Sequence, residues 1–140
     1  MGGQNYYKAE GGFSRYLYHQ VGDIISANGV YAKVIEKINP KDDSQGLPRY
    51  SNTSYMYLAK GGKSGEIIQA RIYINRKAYV DIDWGHPHHG VPSGIAHIHF
   101  YQLNEHGEPI KTGKWRLFNN KEMKKYGPLL KKANPKVKFR

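Results

Sequence analysis

"FSRYLYHQVGDIISANGVYAKVIEKI" (13–38) decides whether the domain begins with helices. Phe13, Leu17, Val21 and Ile24 recur at intervals of three or four, the spacing of one helix face, so 13–27 reads as a helix. Ser14 or Gly12 can cap its start, and Asn28-Gly29 can end it. The following "VYAKVIEKI" (30–38) admits two readings. Val30, Val34 and Ile38 fit a second helix, whereas the β-branched content fits a strand; the helix is adopted here, stopped by Asn39-Pro40.

Beyond a turn-rich stretch, "KDDSQGLPRYSNTS" (41–54), the pattern changes to period two. "YMYLAK" (55–60), "EIIQARIYI" (66–74), "AYVDIDW" (78–84) and "IAHIHFYQL" (95–103) read as four strands, and "KWRLF" (114–118) as a fifth. A last helix is expected from Asn119 or Asn120 to near "ANP", interrupted at Gly127-Pro128. The fold class expected is therefore α+β: N-terminal helices packed on a four- to five-stranded antiparallel sheet, then a C-terminal helix. The 140 residues are read as one basic domain, with 1–12 and 134–140 flexible.

On the strands 78–84 and 95–103, alternation sends Asp81 and Asp83, and His97, His99 and Tyr101, to the polar sheet face. Six of the seven histidines lie between 86 and 106, so the cluster needs an explanation. Three compete. His97 and His99 can chelate a divalent metal such as zinc, manganese or iron, with His86, His88 or His89 and Asp83 as further ligands. They can instead act without metal as an acid–base pair, since an unperturbed imidazole titrates near neutrality. Or they can simply bond to carboxylates within a structural sheet. The reading adopted is metal-free catalysis, with no cofactor. His97 and His99 form the pair, Asp83 (or Asp81) orients an imidazole, Arg71 clamps phosphate, and His86 and His88 contribute from the loop. The metal set His97, His99, His86 and Asp83 is its alternative.

Twenty-two Lys and Arg against eleven Asp and Glu give a net charge of +11, which favours polyanionic partners. Twelve tyrosines offer faces for base stacking. Arg49, Asn52, Lys111 and Lys114 are candidate substrate contacts, although "RYSNTS" (49–54) is explained equally by turn formation. An acidic protein partner, or a basic module that binds nucleic acid without cutting it, fits the same charge. Cysteine is absent, which excludes disulfides, thiolate catalysis and cysteine zinc sites. No apolar run is long enough to span a membrane, and the first residues lack the apolar core of a secretory signal.

The stretch 50–101, with "SNTS", "ARIY", "DIDW", a histidine-rich loop and "HIH", resembles a module at the C-termini of bacterial polymorphic toxins of the Rhs type and of some phage-associated proteins. Such tips are often ribonucleases, and the expected layout is similar to the barnase/EndoU/colicin/RelE-like nuclease class, a likeness of fold only. The resemblance implies a toxic endoribonuclease domain carried by a larger secreted protein. It implies RNA as substrate, action in the cytoplasm of a competing cell, and an acidic cognate immunity protein.

Overall fold

The first hairpin sets the architecture. The computed structural model describes residues 6–8, 16–39, 47–51, 55–61, 65–88 and 90–140. In it Tyr6–Lys8 (β1), Tyr16–Ile25 (β2) and Tyr31–Lys37 (β3) are successive antiparallel strands. This overturns the expectation of N-terminal helices, for two physical reasons. Asn28-Gly29 is a hairpin turn: Gly29 sits at φ 86°, and Ser26 N–H donates to the Val30 carbonyl at 2.9 Å. The strand alternation is interrupted by a register shift between Gln20 and Gly22. That bulge turns Val21 out to 41% exposure, where a helix face would have buried it.

β3 next pairs in parallel with β4 (Met56–Lys60), Val34 opposite Leu58. A parallel neighbour demands a crossover over one sheet face. The described part of that crossover, 47–51, docks there, with Leu47 buried and Ser51 N–H bonded to the Arg76 carbonyl. The chain then runs as an antiparallel meander through β5 (Ile67–Ile74), β6 (Lys77–Asp83), β7 (His97–Leu103) and β8 (Pro109–Leu117). Asn75 and Arg76, both at positive φ, form the two-residue turn between β5 and β6. The result is an eight-stranded mixed sheet in sequential order, in place of the four or five antiparallel strands expected.

The sheet has two different faces. On one, Val34, Leu58, Ala70, Ile72, Val80, Ile82 and Ile98 form the main core with the helix α1 (Asn120–Ala133). Leu129 and Leu130 are fully buried there, each contributing about 1.5–3 kcal/mol. Asn119 and Glu122 close a capping box at the start of α1, and Lys131 and Lys132 sit in its last turn. The helix does not break at Gly127-Pro128. Pro128 has no N–H for the Lys124 carbonyl, and Asn28 of the β2–β3 turn fills the gap, its Nδ2 donating to the carbonyls of Lys124 and Lys125 at 3.4 and 3.0 Å.

The C-terminal segment docks on the same core. Val137 is fully buried, Phe139 packs on Phe118, and Ala96 N–H donates to the Lys138 carbonyl at 2.8 Å. Residues 1–5 and 9–12 lie outside the described residues. No described helix is long and apolar enough to cross a membrane.

The opposite face holds a second cluster of Tyr18, Ile35, Leu47, Tyr57, Tyr73, Ala78 and Tyr101 under the crossover. Beyond it, toward the Asp83 end of β6, this face becomes polar.

Candidate functional site

Cross-strand register builds the site. On β6 and β7, Asp81 pairs with His99 and Asp83 with His97, while Ile82 and Ile98 point to the helix. Four polar side chains are thereby gathered on one face, all nearly buried: Asp81 and His97 are 0% exposed, and Asp83 and His99 7%.

The loop 84–96 folds back over them. His88 and Val91 exchange both backbone hydrogen bonds, at 2.9 and 2.8 Å, with Gly90 at φ 82° in the tight turn between. This places the His88 ring parallel to that of His97, with centroids 5.0 Å apart and planes 1° from parallel. His88 also meets His99 edge-on at 4.7 Å, and His97 meets His99 at 4.9 Å. Trp115, opposite His99 on β8, walls the cluster, 4.8 Å from His88. One nitrogen from each of His88, His97 and His99 lies within 4.8 Å of the other two, the one such group among the described residues.

Two contacts orient these rings. His97 Nδ1 lies 3.2 Å from the Ile95 carbonyl, which fixes the proton there and leaves Nε2 with a lone pair. That Nε2 is buried without a hydrogen-bond partner among the described residues. His99 Nε2 lies 3.3 Å from Asp83 Oδ2, so the carboxylate holds the ring from the side.

The electrostatics follow from burial. Burial, with Lys111 and the neighbouring histidines, pushes His99 down to about 4, and burial also lowers His97. Burial and the nearby Asp81 raise Asp83 to about 6. At neutral pH both strand histidines are neutral. The neutral form is the one that accepts a proton or binds a metal.

Arg71 does not face this cluster as a phosphate clamp. It is 1% exposed, paired with both Asp81 oxygens, and donates to the Tyr101 hydroxyl and to the Leu47 and Pro48 carbonyls. Burial alone would lower its pKa, but Asp81 holds it well above the ordinary value. Its office is to fasten the crossover to the sheet. Asp81 is spent on the same network, accepting also from Tyr101 at 2.8 Å, which leaves Asp83 as the carboxylate beside a histidine.

Of the other sequence candidates, His86 sits exposed at the rim, 5.9 Å from His97 between ring centroids. Lys111 and Lys114 are exposed on β8, Lys111 close enough to act on His99 and Asp83. Arg49 lies at the Ala78 end of β6, away from Asp83, where its carbonyl accepts from Ala78 N–H. Asn52 and His89 fall outside the described residues. Sequence reasoning missed Trp115, whose place is set by strand register across a bulge, and Tyr101 as a partner of Asp81.

Comparison with known proteins finds no matching family model, no matching curated protein and no matching solved structure.

Proposed function

We propose that this chain is the endoribonuclease domain of a secreted bacterial toxin, and that its reactive centre is the cluster of His88, His97, His99 and Asp83. One observation carries this reading: three imidazoles from two separate segments bring one nitrogen each within 4.8 Å of the other two, beside a nearly buried carboxylate. A purely structural histidine needs no such convergence, and leaving His97 Nε2 buried and unbonded costs stability unless something binds there. Lys111 at the margin and the net charge of +11 suit a phosphodiester substrate. The resemblance of residues 50–101 to polymorphic-toxin tips supports the remainder. The domain travels within a larger secreted protein, acts in the cytoplasm of a competing cell, and is neutralised by an acidic immunity protein covering the basic face.

The test is digestion of total RNA by the purified chain, supplied in turn with Zn²⁺, Mn²⁺, Mg²⁺ or EDTA, beside His88→Ala and His99→Gln. Cleavage by the native chain that falls at least 100-fold in both variants is expected. Salt-sensitive RNA binding with no cleavage under any condition overturns the enzyme reading and leaves a nucleic-acid-binding module.

A further inference from the structure

We infer that His88, His97 and His99 are the three protein ligands of a single transition-metal ion, bound with at least one coordination position open. The inference rests on the proposed centre and names its cofactor.

The donor geometry points to it. Four-coordinate zinc bonds imidazole nitrogen at about 2.0–2.1 Å, which sets ligand nitrogens about 3.4 Å apart. The three nitrogens here lie within 4.8 Å of one another, so side-chain rotations that move each by about an ångström close the cage.

The orientation of His97 points the same way. A ligating imidazole commonly donates its other N–H to a backbone carbonyl or carboxylate. His97 does so toward Ile95, and its Nε2, wholly removed from solvent, meets no donor among the described residues. A lone pair in that position is ready for a cation. Asp83 Oδ2, 3.3 Å from His99 Nε2, holds that ring as a second orienting group.

The donor set also selects the ion. Three imidazoles without a carboxylate in the triad suit Zn²⁺, Co²⁺, Ni²⁺ or Cu²⁺, and not Mg²⁺ or Ca²⁺, which take oxygen ligands. Three protein ligands rather than four match a catalytic site, because the open position admits water or a phosphoryl oxygen. Hydrolysis there balances with one water. Its oxygen bonds phosphorus and one proton passes to bulk base. The P–O bond to the departing nucleotide breaks, and the freed oxygen takes a proton from solvent.

The test uses the untagged full chain, stripped with chelator and then titrated with Co²⁺ or Zn²⁺. One equivalent is expected, giving the visible absorption of low-coordinate Co²⁺ and a rise in Tm. His88→Ala and His97→Gln are expected to lose both signals, while His86→Ala and His106→Ala keep them. His88→Ala removes a partly buried ring from a loop, outside the strands, so it remains informative even where His97→Gln does not fold. Several weak equivalents, or one equivalent that survives His88→Ala, would overturn the assignment as adventitious binding by the histidine-rich loop. One tight equivalent with no RNA cleavage leaves the metal centre standing and removes the ribonuclease; cleavage by metal-free chain in EDTA does the reverse.

Discussion

His97 Nδ1 faces the Ile95 carbonyl at 3.2 Å, and this contact settles which nitrogen of a fully buried ring is left for chemistry. The residue two before His97 on the same chain segment thus leaves Nε2 as the nitrogen with a lone pair.

Asp83 orients His99 while carrying an unfavourable buried charge. Asp83→Asn should weaken metal binding or activity by about 10–100-fold, as loss of an orienting carboxylate does. The folded carboxyl, raised to about 6, lies above its ordinary value, so its ionised form opposes folding at pH 7. Asp83→Asn should therefore raise Tm in metal-free buffer while function falls. Parallel loss of Tm and activity would make Asp83 a structural residue only.

Arg71 and Asp81 form a buried pair whose loss should act on stability. Arg71→Met alone is expected to cost about 3–5 kcal/mol in urea unfolding, because it strands Asp81 in the interior. Arg71→Met combined with Asp81→Leu should recover more than half of that. A single variant as stable as the native chain would contradict the assigned role.

Asn28 supplies the hydrogen bond that Pro128 cannot. Asn28→Ala should cost about 1 kcal/mol. In a Pro128→Ala background, where residue 128 again has an N–H for the Lys124 carbonyl, the same substitution should cost less. Equal costs in both backgrounds would separate Asn28 from the uninterrupted helix.

Glu122 gives a pH signature. Its hydrogen bonds from Arg116, with smaller help from Asn119, hold its pKa below the ordinary carboxylate value despite partial burial. A depressed folded pKa stabilises the fold above the unfolded value, and that stability is lost as pH falls through the folded one. Glu122→Gln should lower stability by about 1 kcal/mol at pH 7, the scale of a lost cap. The gap should narrow progressively below about pH 4. A gap independent of pH would mean the charge plays no part.

The strands that carry the site were legible because "DID" and "HIH" alternate cleanly, and a period of two can place them on one face only one way. The β2–β3 hairpin was not, since a bulge at Val21 breaks the alternation that marks a strand, and Asn-Gly serves helix stops and hairpins alike. The crossover that makes the sheet mixed leaves no periodic trace. Arg71 looked like a surface cation, because its partners are ten residues ahead at Asp81 and in a loop far behind at Leu47. His88 was one of several loop histidines, and only the turn closed with Val91 singles it out.

The central claim is that three rings form one centre, and zinc-edge anomalous diffraction from crystals grown with one equivalent of Zn²⁺ tests it most directly. A single peak within about 2.0–2.1 Å of nitrogens from His88, His97 and His99 is expected. Peaks only at exposed histidines such as His86 or His106, with His97 Nε2 unbound, would contradict it.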